Sequence, residues 1–293
     1  MSARPFLADA LARKGRWLSY RWLILRRLSQ GLVLAGFLAG PCCGVWILEG
    51  NLASSLLLGQ VPLADPFTFV QSLAAGHTPV LRAMLGAALV AGGYLLVGGR
   101  AFCAWACPIN PLTDLAGWLR RRLGIKSGFT PSRNFRLALL PACLLTAWLT
   151  GSLAWEYVNP VTGLMRGLAF GLGWTGGLVG AIFLFDLFVV QRGWCGHVCP
   201  MGAFYGLLGK VAVLRVSAPR RSACTDCMDC FTACPEPQVI RPALKGKGTP
   251  VILDSNCTTC GRCVDVCGER VFRLTHRFDR SLEEDASPAP PPT

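Results

Sequence analysis

Long apolar runs alternate with short basic ones along this chain. Four runs, residues 28–48, 83–99, 137–155 and 168–190, hold almost no charge, and each is near the roughly 20 residues an α-helix needs to cross a hydrocarbon core. They predict an all-α membrane domain of four transmembrane helices arranged as two hairpins. The basic residues crowd one set of ends. Arg4, Arg13, Lys14, Arg16, Arg21, Arg26 and Arg27 precede the first run, and Arg100, Arg120, Arg121, Arg122, Lys126, Arg133 and Arg136 follow the second. Residues 49–80 contain no lysine or arginine, and the stretch after the third run offers Arg166. By the positive-inside rule both termini and the middle loop face the cytoplasm. The first run is too long for a secretory signal core and no small-residue cleavage site follows it, so it predicts an uncleaved anchor.

Composition agrees with a membrane protein. The 293 residues are 52% hydrophobic and 15% charged, where a globular chain carries about a quarter charged residues, and the mean hydropathy is +0.44. These values exclude disorder and collagen-like repeats as global descriptions. The net charge of +13 does not point to nucleic acid, because the basic residues flank the apolar runs. The pattern divides the chain into a basic interfacial segment (1–27), a membrane domain (28–191), a more polar cytoplasmic domain (192–280) and an acidic, proline-rich tail (281–293) expected to be disordered.

The strongest chemical signal lies in the polar domain. Cys224, Cys227, Cys230 and Cys234, followed by Pro235, form a C-x2-C-x2-C-x3-C-P run, and Cys257, Cys260, Cys263 and Cys267 repeat the spacing with Gly268 in place of proline. Three close thiolates on a tight loop hold three irons of a cubane, and the fourth cysteine reaches the neighbouring cluster. One [4Fe-4S] cluster then takes Cys224, Cys227, Cys230 and Cys267, and the other takes Cys257, Cys260, Cys263 and Cys234. Structural zinc pairs C-x2-C units instead, and a cytoplasmic placement disfavours disulfides. The domain is therefore expected to be a two-cluster, ferredoxin-like α+β fold, with 239–240 and 251–253 supplying part of its strands.

A second pattern is an internal repeat. Arg100-Ala-Phe-Cys103-Ala-Trp-Ala-Cys107-Pro108 follows the second apolar run, and Arg192-Gly-Trp-Cys195-Gly-His-Val-Cys199-Pro200 follows the fourth. Cysteines at i and i+4 share a helical face, and the proline redirects the chain. Cys103, Cys107, Cys195 and Cys199 are candidates for a third metal centre or a redox-active dithiol, with helix packing as the alternative. Cys42, Cys43 and Cys143 stand alone inside apolar runs and read as packing residues. Glu49, Asp65, His77 and Glu156 fall in the predicted periplasmic loops, where a quinol gives up protons, and Asp186 is expected to pair with a basic residue such as Arg192. His197 reads as a ligand, a proton acceptor or a structural hydrogen-bonding group. No catalytic nucleophile or nucleotide motif is present.

Further stretches carry a family likeness: residues 26–28 (Arg-Arg-Leu), 44–48 (Gly-Val-Trp-Ile-Leu), 61–66 (Val-Pro-Leu-Ala-Asp-Pro), 71–77 (Gln-Ser-Leu-Ala-Ala-Gly-His), 110–115 (Asn-Pro-Leu-Thr-Asp-Leu) and 227–231 (Cys-Met-Asp-Cys-Phe). With the cysteine motifs they make the chain, up to about Arg277, resemble the NapH family, the membrane quinol dehydrogenase subunits of periplasmic nitrate reductase systems. The resemblance implies four transmembrane helices in the bacterial cytoplasmic membrane and cytoplasmic [4Fe-4S] clusters. It further implies membrane quinol as donor, a ferredoxin-like periplasmic partner NapG, and the nitrate reductase NapA with its cytochrome subunit NapB downstream. Related membrane ferredoxins of methylamine or nitrous-oxide systems share the motifs, and an iron-sulfur sensor or maturation factor is the third alternative.

Overall fold

The computed structural model describes residues 6–78, 80–125, 132 and 134–282; Lys126, Arg133 and the tail from Glu283 lie outside them. In chain order the elements are α1 (Ala8–Cys43), β1 (Leu48–Gly50), β2 (Ser54–Leu57), β3 (Val61–Ala64), α2 (Pro66–Ala74), α3 (Leu81–Val97), α4 (Ala101–Trp105), α5 (Ile109–Arg122), α6 (Phe135–Thr150), α7 (Ala154–Val158), α8 (Pro160–Phe170) and α9 (Gly173–Leu184). Two π turns, Phe185–Val189 and Trp194–Val198, lead to α10 (Pro200–Leu208), β4 (Leu214–Ser217), α11 (Asp229–Ala233), α12 (Ile240–Lys245), α13 (Arg262–Val266) and β5 (Arg273–His276). The chain forms two compact units. One comprises Ser29–Gly93 and Ala106–Leu207; the other gathers Met1–Leu28, Tyr94–Trp105 and Leu208–Thr293.

The first unit is mainly helical. α1 is long and apolar enough to cross a membrane, whereas α3, α6 and the run Gly173–Val189 are apolar but shorter. The third predicted run stops early because Gly151 closes α6 in the left-handed region (φ 62°), which a residue without Cβ adopts freely. The fourth starts late, because residues 160–170 form the separate helix α8, capped by Asn159, whose Oδ1 accepts from the Val161 amide at 3.0 Å.

The unit is not all-α as the hydropathy pattern predicts. β1, β2 and β3 make an antiparallel sheet in that order. Its turns are local chemistry. Asn51 Oδ1 accepts from the amides of Ala53 and Ser54, and Leu58 and Gly59 carry positive φ between β2 and β3. Asp65 then caps α2 by accepting from the Thr68 amide at 2.8 Å, with Pro66 at the first helical position.

In the second unit β4 and β5 pair antiparallel, with Val216 opposite Leu274. The expected strand at 239–240 is instead helical: Pro237 opens a 3-10 turn that runs into α12, as a residue with fixed φ and no amide proton favours. Residues 251–253 contribute a single bridge, Val251 to Ser217. The core of this unit packs Leu7, Ala10, Val216, Ile240, Ile252, Val266 and Phe272 around Cys230 and Cys263.

Three separate stretches of chain are held together here by polar contacts. Arg100 and Glu236, 2% and 1% exposed, form an ion pair at 2.7 Å, and Arg100 also donates to the Asn256 carbonyl at 3.2 Å. Trp105 Nε1 donates to the Thr259 carbonyl at 3.2 Å. From α1, the amides of Trp22 and Leu23 donate to the two carboxylate oxygens of Asp265, and Lys14 Nζ donates to the carbonyls of Val264 and Asp265. Removing one partner of a buried pair strands the other charge. Arg100→Met is expected to destabilise this unit by about 3–5 kcal/mol, read as a lower thermal midpoint of the purified protein, and the double variant Arg100→Met/Glu236→Met is expected to recover much of the loss.

Candidate metal centres

Each four-cysteine run folds into a loop, a five-residue helix and a final cysteine at the helix end. Cys234 caps α11 and Cys267 caps α13, both in extended conformation. The loops repeat each other in backbone as well as in sequence. Asp226 and Met228 have φ of 55° and 64°, and their counterparts Thr259 and Gly261 have 49° and 70°. Left-handed conformation costs about 1–2 kcal/mol for a residue with a Cβ, so three such non-glycine residues mark loops curled against local preference, as binding loops are. Gly261 is required on packing grounds too: a Cβ there would lie 2.4 Å from the Trp22 ring.

Two cavities result. Cys224, Cys227, Cys230 and Cys267 line the first, together with Asp9, Met228, Phe231 and Glu269. Cys234, Cys257, Cys260 and Cys263 line the second, with Glu236 and Arg262. In each, the fourth cysteine comes from the other run. Cys263 is electrostatically coupled to Cys230 of the first group, so the two sites are neighbours.

The thiols resist ionisation in the protein alone. Burial, then the neighbouring Cys267, Cys227 and Cys224, pushes Cys230 up to about 12; burial pushes Cys257 up to about 11. Burial likewise holds Cys263 well above the usual thiol range, followed by Cys260, Cys234 and Cys257. A cationic metal core offsets that repulsion, because a coordinating thiol loses its proton. Among the described residues no three His, Cys, Asp or Glu side chains converge on one ion position, as Zn–S bonds of about 2.3 Å would require. Four thiols spread around a cavity suit a larger inorganic group, and the donor set is that of a [4Fe-4S] cluster.

The repeated pairs are placed differently from each other. Cys103 lies in α4, and Cys107 follows it, buried. The second pair does not share an α-helical face: Cys195 sits in a π turn closed by the Cys199 amide bonding the Trp194 carbonyl at 2.9 Å. Cys199 Sγ accepts from the Gly202 amide at 3.4 Å, and His197 is buried between the two cysteines. Cys42 and Cys43 are exposed at the end of α1, not packed within this chain as expected, and Cys143 is half-buried. Asp186 is fully buried and accepts the Trp194 amide at 2.9 Å, while Arg192 pairs with Asp114 at 3.5 Å. Asp65 accepts a hydrogen bond from the Tyr205 hydroxyl, and burial raises its carboxyl above the usual range. Glu156, held by Asn159 Nδ2 at 2.8 Å and Thr162 Oγ1 at 3.0 Å, lines a cavity of about 560 Å³ with His77, Tyr157, Arg166 and Trp174.

The four-cysteine cavities define an iron-sulfur protein of the ferredoxin type. A family model described as a 4Fe-4S dicluster domain matches residues 218–268, a second of the same description matches 192–240, and a 4Fe-4S binding domain matches 80–126, which contains Cys103 and Cys107. The chain is 52% identical over 271 residues to the ferredoxin-type protein NapH of Escherichia coli (92% of this chain, 94% of the relative) and 48% identical over 287 residues to that of Haemophilus influenzae (97% and 100%). It is also 52% identical over 272 residues to the methylamine utilization ferredoxin-type protein MauN of Methylorubrum extorquens (92% and 94%). The chain belongs to this NapH/MauN family of ferredoxin-type proteins. No solved structure matches it.

The crossed grouping is testable by pairing variants. Cys267→Ser should resemble Cys227→Ser in EPR of the reduced protein, and Cys234→Ser should resemble Cys260→Ser, each pair disturbing one signal and lowering iron from about eight toward four per chain. If Cys267→Ser resembled Cys260→Ser, each run would bind its own cluster.

Proposed function

We propose that this chain is an electron-transfer subunit of a membrane quinol dehydrogenase, in which Cys224, Cys227, Cys230 and Cys267 hold one [4Fe-4S] cluster and Cys257, Cys260, Cys263 and Cys234 hold a second. The carrying observation is the pair of adjoining cavities, each ringed by four cysteines. When bound, the clusters supply one-electron redox chemistry. The protein's own part is to keep the two sites close, to exclude water from Cys260 and Cys263, and to tie the Cys257–Cys263 loop to α1 and the start of α4 through Trp22, Arg100 and Trp105. The apolar helices α1, α3, α6 and α9 are read as four membrane crossings with the clusters on the cytoplasmic face, a reading supported by the distribution of arginines and lysines. Quinol is the proposed donor. The cavity lined by His77, Glu156 and Arg166 offers it polar groups beside the aromatic rings of Tyr157 and Trp174, as such sites combine.

Electrons are proposed to pass toward a periplasmic nitrate reductase, with NapG-, NapA- and NapB-like partners. Equal identity to NapH and MauN supports a second reading, in which a methylamine-oxidising system is the partner. The repeated cysteine pairs are proposed as a further redox site, supported by the iron-sulfur family model over Cys103 and Cys107.

Two measurements test these readings. In a deletion strain, the wild-type gene should restore quinol-dependent nitrate reduction and Cys230→Ser should abolish it; restoration of methylamine-dependent growth instead would assign the second partner, and full activity of Cys230→Ser would favour a sensing role. Iron and acid-labile sulfide of about eight each per anaerobically purified chain fit two clusters. An excess that disappears in the Cys103→Ser/Cys199→Ser variant would locate a third centre at the repeated pairs.

A further inference from the structure

The two cluster sites differ in the charge packed around them. Four arginines gather at the site of Cys234, Cys257, Cys260 and Cys263, drawn from all three segments of the unit: Arg26, Arg100, Arg215 and Arg262, at 1%, 2%, 3% and 9% exposed. Arg262 lines the cavity itself. Arg100 donates to the carbonyl of Asn256, next to Cys257, and Arg215 donates to the carbonyl of Asp254 at 3.3 Å. Three carboxylates answer them. Glu236 is paired with Arg100, Asp254 faces Arg215, and Asp265 is occupied by the amides of Trp22 and Leu23.

At the other site the sign reverses. Asp9, Asp226 and Glu269 line the cavity of Cys224, Cys227, Cys230 and Cys267. The cations that face them lie toward solvent: Lys245, paired with Asp226, has a side chain 42% exposed, and Arg13, paired with Glu269 at 2.7 Å, is 52% exposed. Lys14 is committed to the carbonyls of Val264 and Asp265. Charges in contact with water are screened; buried ones are not.

Reducing a thiolate-bound cluster adds a negative charge to an already anionic group. Burial alone disfavours that, and the arginine-rich site is the more buried: Cys260 and Cys263 are enclosed, whereas Cys227 is exposed. The four buried guanidiniums outnumber the carboxylates beside them and act on the enclosed site with little screening, which favours the more negative state. Arg26 lies one helical turn beyond Trp22, whose ring packs on Gly261 of the cysteine loop.

We propose that the Cys234, Cys257, Cys260 and Cys263 site has the higher reduction potential and takes the first electron added to the domain, an order set by Arg26, Arg100, Arg215 and Arg262. The inference rests on the two-cluster reading. It makes the site packed against Trp22 of α1 the resting place of the electron, and the solvent-facing site the second to be reduced. Each step adds one electron from an external reductant, with no bond made or broken in the protein.

The test is an EPR-monitored potentiometric titration of the full-length protein with dithionite as reductant, with iron and sulfide assayed on the same sample. Two resolved one-electron steps are expected. Arg215→Gln and Arg262→Gln should each move the more positive step to lower potential and leave the other in place, and Arg215→Lys should restore it. Asp226→Asn changes an exposed residue and spares the core, and should raise the more negative step alone. It decides the matter if an arginine variant loses its iron. With about eight irons bound, coincident steps, or arginine variants that move the more negative step, overturn the proposed order alone. Wild-type iron well below that number overturns the two-cluster reading, and the order with it.

Discussion

Taking a guanidinium and a carboxylate out of water costs several kcal/mol per ion, and only close geometry with further hydrogen bonds makes the placement tolerable. Arg100 and Glu236 meet that condition at 2.7 Å, with the Asn256 carbonyl as an additional acceptor. Much depends on this contact. Glu236 follows Cys234 by two residues and Asn256 precedes Cys257 by one, so a single side chain from just before α4 fixes both entrances to one cysteine site. Trp105, five residues on, reaches the same loop at Thr259. The cavity that these contacts shape is formed by a short loop that local preference does not favour, with left-handed residues at 259 and 261.

That cost has a counterpart in the thiols. Without a metal core, burial and then neighbouring cysteines push the thiols of Cys230, Cys257 and Cys263 above the usual range. Strained loops and crowded thiols are both understandable if a metal core supplies the missing attraction, since binding free energy is then folding free energy for a small domain. The structural core agrees, because Cys230 and Cys263 are packed among Val216, Ile240 and Phe272, and the hydrophobic interior is continuous with the walls of both cavities.

How much of this is legible in the sequence depends on the separation of the interacting residues. The cysteine runs are local, so their spacing alone suggests the two groups that the structure gathers around cavities. Apolar runs are local too and locate α1, α3, α6 and α9. The sheet of residues 48–64 escapes a hydropathy reading, because its strands are three and four residues long; Asn51 and Gly59 are turn signals that point to it. Pro237 argues against a strand at 239–240 for the same local reason. By contrast, the pairing of β4 with β5, and of Arg100 with Glu236 across 136 positions, has no local signature. Arg100 does head a repeated motif with Arg192, which is the one sequence hint that it matters.

The second unit is assembled from residues near 1–28, 94–105 and 208–282, with the apolar helices α3, α6 and α9 beginning between those stretches. During synthesis the cysteines of residues 224–267 therefore leave the ribosome after every apolar helix has been made. Arg100, Trp22 and Trp105 are already waiting when those loops appear. Cofactor loading thus falls at the end of biogenesis, on a chain whose hydrophobic segments have been translated in full, and a maturation apparatus delivering iron and sulfide would meet a client whose apolar helices already exist.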